Sequence, residues 1–400
     1  MPCSTSRAAI VGAAALPVGK FASPDNTHYQ YLEHEILAKV AAEAIRDAGL
    51  SVNDIDAAIF TQNPPTTKQL GFATFMTAQL GLKCTGLVSE VSQLGLTGGL
   101  AFDIACAQIQ LGQANYAVAL GVVRQSAGSP AMALDNGIRA VGDVNFQAPF
   151  GIPPIGWYAF DCSRYMAEFN VTREAIAQVA VKSRQVAQHN PLAQFPHVVT
   201  LEEVINQRPI VEPLGLYEVP ARADGAICLV IGTEDAAAES GRPYVTVNGR
   251  GFFHEGEHQM GDRPDDLIAF RSASAACNTA LASANLSLKD IDLFELYAPC
   301  TITEILVAEA IGLFPRGSAS EVLAAGKTLP LGEHPINTSG GCLGRGHPPQ
   351  LTGLYGIYEI REQLLGRAGK RQVPSATYGL HTCELGNYNA TLAHVIGVPQ

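Results

Sequence analysis

Asn337-Thr-Ser-Gly-Gly-Cys-Leu-Gly-Arg-Gly-His347-Pro-Pro-Gln-Leu-Thr-Gly353 is the stretch around which the 400-residue chain is read. Five glycines fall within it, so the backbone must turn tightly or approach something closely. His347 stands directly before Pro348 and Pro349, and from Leu351 onward apolar residues recur at helical spacing. Such a turn can present an imidazole to a pocket at the start of a helix. The same residues also describe a loop whose histidine only caps or solvates that helix.

Composition narrows the classes. A chain of 400 residues, 47% apolar, can bury one large core or two smaller ones. A net charge of -11 argues against a nucleic-acid or anionic-membrane partner. The nine cysteines form no CxxC pair and no secreted-type spacing, so neither a disulfide framework nor a structural zinc site is expected. No apolar run reaches the roughly 20 residues of a membrane span, and a soluble, cytoplasmic protein is expected. The short apolar run near the start reads as a first buried strand, Ala8–Gly12, not as a leader. Gly12, Gly19 and their neighbours form no dinucleotide or phosphate-binding fingerprint. His254, His258 and Asp262 lie close in sequence but lack ligand spacing, and no metal is expected.

Outward from the central stretch, the chain repeats itself. Ala44-(three residues)-Ala48-Gly-Leu-Ser-x-x-Asp-Ile-Asp56 matches Ala280-(three residues)-Ala284-Asn-Leu-Ser-x-x-Asp-Ile-Asp292 in register. Each helix ends at Gly49 or Asn285, residue types that tolerate a left-handed cap. A second echo sets Thr97-Gly-Gly, with the helix Leu100–Leu111 behind it, beside Ser339-Gly-Gly and the helix near Leu351–Leu365. Two such echoes in the same order imply a duplicated α/β half, residues 1–240 and 241–400, with mostly parallel sheets. A proline-rich insertion, about 123–217, interrupts the first half and carries an amphipathic helix around Arg173–His189, capped by Thr172.

Asn337-Thr-Ser-Gly-Gly followed by Gly346-His-Pro resembles the C-terminal signature of the thiolase superfamily. The resemblance implies duplicated halves in five αβαβα layers, an inserted loop domain over the pocket, and coenzyme A chemistry. It implies that His347 is a catalytic base, that Gly340 and Gly341 support its loop, and that a homodimer forms. Where the family carries its nucleophilic cysteine, in Cys-Ala-Ser-Gly-x-x-Ala, this chain has Gly95-Leu-Thr-Gly-Gly-Leu-Ala101. Glycine cannot form an acyl-enzyme. In the branch that resembles sterol-carrier-protein and lipid-transfer-protein thiolases, a histidine stands where Tyr297 falls, counted back from Gly312-Leu313. A phenol can donate to an oxyanion or, with a lowered pKa, act as a base; it can also be a half-buried aromatic at a strand end. Glu304 and Glu309 read as structural or solvated.

Cys342 stands where the family usually has an apolar residue, as a small hydrophobe or a displaced nucleophile. Cys383 falls near the second catalytic cysteine, but the glycine run expected after it is Gly386-Asn-Tyr-Asn here, which weakens an oxyanion role for Gly386. Three readings follow. The first is an enzyme that makes or breaks a C–C bond beside an acyl-CoA thioester without an acyl-enzyme, of retro-aldol type, with coenzyme A only as part of the substrate. Cysteine-free relatives of that branch work with a small OB-fold, zinc-ribbon partner chain. The second is an acyltransferase or thiolase that uses Cys342 or Cys383 in a multi-component complex. The third is a non-catalytic thiolase-fold subunit. The feature that separates them is whether Tyr297 and His347 face one cavity above Gly95, or whether Leu94, Leu96 or the Asn387-Tyr388 loop fills it.

Overall fold

The computed structural model describes residues 7–62, 69–140, 142–255 and 267–399. The first half runs β1 (Ala8–Ala15), α1 (Glu33–Asp47), β2 (Ala57–Thr61), α2 (Phe72–Gln79), β3 (Val88–Val91), α3 (Thr97–Gln110) and β4 (Tyr116–Val123). The insertion holds α4 (Pro130–Ala140), α5 (Pro154–Phe169), α6 (Arg173–Ala187), α7 (Leu201–Ile205) and the hairpin β5 (Pro209–Val211) and β6 (Leu214–Gly215). The chain returns through β7 (Gly225–Thr233) and α8 (Glu234–Ser240). The second half runs β8 (Val245–His254), α9 (Arg271–Ala284), β9 (Leu293–Glu295), α10 (Thr301–Ala310), α11 (Ala319–Ala324), α12 (Gly341–Gly344) and α13 (Thr352–Leu364). It closes with β10 (Tyr378–Leu385) and β11 (Ala390–Gly397).

Strands β1, β2, β4 and β7 are apolar on both faces, and the two faces feed different cores. Ala8, Ile10, Ile59, Ala119 and Leu229 pack with α3 and α13, whereas Ala9, Val11, Phe60, Leu120 and Val230 pack with α1. That division is the period-2 alternation of a strand buried on both sides. In the second half, α9 covers the outer face of β8 and β11, with α10 beside it. The layers are therefore α1, sheet, α3 with α13, sheet, and α9 with α10.

The strand order is β3-β2-β4-β7-β1-β8-β11-β10-β9, because Ala9 and Ile10 pair with Thr246 and Val245 and join the halves edge to edge. Mostly parallel pairing was expected, and this is corrected. Among the described residues of this nine-stranded sheet, β2–β3, β2–β4 and β9–β10 are parallel and the other five pairings are antiparallel. The return strand β7 runs antiparallel to both β1 and β4, and β10–β11 is a hairpin, which needs no crossover helix.

The duplication is visible in atomic detail. Gly49 and Asn285 both take left-handed conformations, at φ 74° and 54°. Ser51 donates its N–H and hydroxyl to Asp54 at 2.7 and 2.8 Å, and Ser287 does the same to Asp290 at 2.7 and 2.7 Å. The second echo is shifted. Thr97-Gly98 opens α3 and Thr352-Gly353 opens α13, while Ser339-Gly-Gly enters the separate short helix α12. The glycines at the two helix starts let the middle-layer helices touch: a Cβ on Gly98 would lie 2.9 Å from the Gln350 carbonyl.

The expected strand near Ala8, the helix from Leu32 to Ala48, and the Thr172-capped helix all form, the last with the Ala175 N–H donating to Thr172 Oγ1 at 3.3 Å. His258 and Asp262, named beside His254, lie outside the described residues. Among the described residues no helix is long and apolar enough to cross a membrane.

Candidate active site

The central stretch folds as a sequence of turns pinned by buried polar groups. Asn337 takes a left-handed conformation (φ 53°), accepts the Leu296 N–H at Oδ1 (2.9 Å), and donates from Nδ2 to Glu304 (2.8 Å). Lys182 of α6 pairs with the same Glu304. Glu304 is structural, as the sequence implied. Ser339 donates its N–H and hydroxyl to Glu295 at 3.0 and 2.8 Å, and Arg345 stands 3.7 Å from that carboxylate. Gly340 sits at φ 91° with α6 against it, and a Cβ there would meet Ala187 at 2.7 Å. Gly340 and Gly341 thus serve the loop through backbone shape and close packing. His347 emerges from this frame just before α13.

Three further loops arrive at the same place. Between β3 and α3, Thr97 Oγ1 donates to the Leu94 carbonyl (2.7 Å) and accepts the Gln93 N–H (2.8 Å), which fixes the turn carrying Gly95. After β9, Tyr297 is held on both sides: its N–H donates to Thr382 Oγ1 (3.1 Å) and its carbonyl accepts from Tyr388 Oη (2.5 Å). After β10, Gly386, Asn387 and Tyr388 turn through positive φ values into β11.

Gly95, Tyr297, His347, Glu384 and Gly386 line one cavity of about 440 Å³. Apolar side chains from α4 and the start of α5, among them Met132, Leu134 and Ile155, form another part of its wall, and Gln125, Asn136, Arg222 and Gln350 add polar groups. Leu94 belongs to the wall and does not fill the space; Leu96 is buried elsewhere, against Cys383 and Leu392.

Tyr297 Oη lies 2.9 Å from His347 Nε2 and donates to the Pro349 carbonyl at 3.3 Å in the alternative arrangement of its proton. Burial, reinforced by the Arg345 guanidinium, pushes the His347 imidazole down to about 3, and burial pushes the Tyr297 phenol well above its ordinary value. Near neutral pH both are uncharged hydrogen-bonding groups. At Gly95, any Cβ would press into the Glu384 carbonyl oxygen and come within 3.0 Å of Tyr297 Oη. A side chain there would require the Glu384 backbone to shift.

Neither Cys342 nor Cys383 is among the residues lining this cavity. Cys342 is buried, with its thiol pushed by burial up to about 12, and shares a small separate pocket with Tyr297. Cys383 packs between the helix starts, where a Cβ on Gly99 would stand 2.6 Å from its sulfur, and burial pushes its thiol up as well. The alternative reading that used one of these cysteines therefore finds neither thiol in the wall of this cavity. Strand alternation explains Cys383: His381 and Cys383 share one face of β10, at 3.6 Å, while Thr382 and Glu384 face the Tyr297 side.

Sequence reasoning missed Glu384 and Tyr158. Burial pushes the Glu384 carboxyl up to about 7; Tyr158 Oη donates to it at 3.1 Å and the Tyr388 N–H at 3.2 Å. The available signal was the register of β10, in which the residue after Cys383 must point the other way. Among the described residues no group of three His, Cys, Asp or Glu side chains is placed to hold a metal.

The profile described as "Thiolase, N-terminal domain" matches residues 8–228, and "Thiolase C-terminal domain-like" matches 254–398. The chain belongs to the thiolase superfamily. It is 32% identical over 366 residues to an acetyl-CoA acetyltransferase of Methanothermobacter thermautotrophicus, covering 90% of this chain and 92% of that protein. It is 26% identical to sterol carrier protein 2 of Gallus gallus, over 95% of this chain and 70% of the other. A solved structure described as "Ltp2-ChsH2(DUF35) aldolase" superposes with a TM-score of 0.82 at 25% identity, over 98% of both chains.

Proposed function

We propose that this thiolase-superfamily protein breaks, or in reverse makes, a C–C bond next to the thioester of an acyl-CoA, as a retro-aldol reaction without an acyl-enzyme. The observation that carries the reading is the Tyr297–His347 pair, 2.9 Å apart, facing a largely apolar cavity beside Gly95, where a Cβ would crowd the Glu384 carbonyl. With His347 Nε2–H donating to Tyr297 Oη, the phenol proton is left for an enolate oxygen, and a preorganised hydrogen bond there strengthens as charge develops. The apolar walls from α4 and α5 suit a bulky acyl chain. The similarity to the aldolase structure supports the same reading.

We further infer that the protein works as a dimer and with a small partner chain of the DUF35 type named in that structure. An acyltransferase reading through Cys342 or Cys383 has less support, because both thiols lie outside the cavity wall. The test is incubation with β-hydroxyacyl-CoA esters, with and without such a partner. Release of a ketone or aldehyde together with a shortened acyl-CoA is expected. Products that form only from β-ketoacyl-CoA, and only when free coenzyme A is added, would overturn the reading.

A further inference from the structure

Tyr297 and His347 leave one requirement of this chemistry unmet. Retro-aldol cleavage needs a group that takes the β-hydroxyl proton and later returns a proton to the α-carbon, and such a group must change protonation near the working pH. A phenol held well above its ordinary value and an imidazole near 3 both stay neutral. They can hold charge developing on the substrate, but they exchange protons poorly.

Glu384 stands in the same cavity wall and is built differently. Its Oε1 accepts from Tyr158 Oη and its Oε2 from the Tyr388 N–H, so the carboxyl is fixed in orientation. Tyr158 itself lines the cavity, reaching it from α5. The titratable groups around Glu384 are Tyr158, Tyr297 from the loop after β9, Cys342 from α12, its neighbour Cys383, and Tyr388 from the turn. Among the described residues none of its hydrogen-bond partners is a cation. The cavity's own basic groups are His347 and Arg222, and Arg222 donates instead to the Gly128 carbonyl at 2.9 Å. Glu295, the other carboxyl pushed up to about 7, is committed to Ser339 and Arg345 beneath the loop and does not line this cavity.

We propose that Glu384 is the general base of this site and that Tyr158 is the positioning residue that holds and tunes it. The assignment rests on the C–C cleavage reading above. A Glu384 carboxylate oxygen accepts the β-hydroxyl proton, and the O–H electron pair becomes the new carbonyl bond. The Cα–Cβ pair moves into the thioester as an enolate, whose oxygen Tyr297, backed by His347, holds. Glu384 then returns the proton to Cα, where the enolate pair forms the C–H bond and the thioester carbonyl is restored. No oxidant or further reactant is required. A carboxyl near 7 is matched to both directions of this transfer.

The test is the pH–rate profile of the full chain, with its partner if required, on a β-hydroxyacyl-CoA ester that the wild type cleaves. Glu384→Gln should lower kcat by about 100-fold or more with KM changed little, and should lose the limb that rises through neutral pH. Tyr158→Phe removes one hydrogen bond to the carboxylate and should move that limb upward by roughly half a pH unit or more. A Glu384→Gln variant within about threefold of wild type, with the same profile, would overturn the assignment and leave the cleavage reading standing. If the Gln variant does not fold, an unmoved limb in Tyr158→Phe overturns it instead. A wild type that releases no carbonyl product, with or without the partner, would overturn the cleavage reading and Glu384's role together.

Discussion

Tyr297 Oη and His347 Nε2 meet at 2.9 Å with their rings nearly perpendicular, at 83°, although 50 residues separate them in the chain. Each is fixed from behind: Tyr297 through both of its backbone groups, His347 through a turn anchored on Glu295 and Glu304. The pair is preorganised in a largely apolar cavity wall, which is where such hydrogen bonds gain strength.

Tyr297→Phe keeps the ring and removes only the hydroxyl. Cleavage of a β-hydroxyacyl-CoA should fall by about 10²–10³-fold in kcat, the usual cost of removing one oxyanion donor. Stability should drop by only about 1 kcal/mol, for the buried hydrogen bond to His347. Steady-state kinetics and thermal unfolding check both. An unchanged kcat would remove Tyr297 from the mechanism.

Gly95→Cys places a thiol in the cavity wall beside Tyr297, where the sequence resemblance expects a nucleophile, yet it should not confer thiolysis. The new Cβ would press into the Glu384 carbonyl and reach within 3.0 Å of Tyr297 Oη. Overpacking of this kind costs about 1–3 kcal/mol. A lowered unfolding temperature, together with no gain of coenzyme A-dependent cleavage of a β-ketoacyl-CoA, is expected. Thiolysis by the variant would show that the site accepts the nucleophile.

Glu384 makes stability depend on pH in a defined direction. Its carboxyl lies at about 7 when folded, against 4.5 ordinarily. Between those values the folded protein keeps a proton that the unfolded chain releases. The stabilisation is therefore full below the lower value and is lost as pH rises through the higher one. Glu384→Gln stays neutral and escapes this loss. Its unfolding free energy should gain on wild type between those two pH values, by at most about 1.4 kcal/mol per unit. Chemical denaturation across the range checks this, and a gap independent of pH would contradict the shift.

Lys182→Ala leaves Glu304 buried without its cation, a change that costs about 3–5 kcal/mol. Because Glu304 also holds Asn337, activity should fall along with stability. A variant as stable and as active as wild type would show that the pair does not support the loop.

Much of this organisation was legible in the sequence because it is local. The Ala44–Asp56 and Ala280–Asp292 repeat encodes a helix end and a Ser–Asp turn within a few residues, and both turns form with nearly the same hydrogen-bond lengths. The Gly-rich turn delivers His347 to the start of α13, as its glycines and prolines implied. Strand direction was less legible, since the insertion lets β7 return antiparallel, a consequence of tertiary layout that periodicity does not encode. Cys383 was singled out by its place near the family's second cysteine, but the alternation of β10 turns it toward Gly99 and turns Glu384 to the cavity. Tyr158 lies 226 residues from Glu384 in the chain, so only the fold could reveal their contact.

The most direct test of non-covalent C–C cleavage is intact-protein mass spectrometry during turnover of a β-hydroxyacyl-CoA ester. Carbonyl product should accumulate while the protein mass stays unchanged throughout. An acyl adduct that forms and decays with turnover, and maps to Cys342 or Cys383, would contradict it.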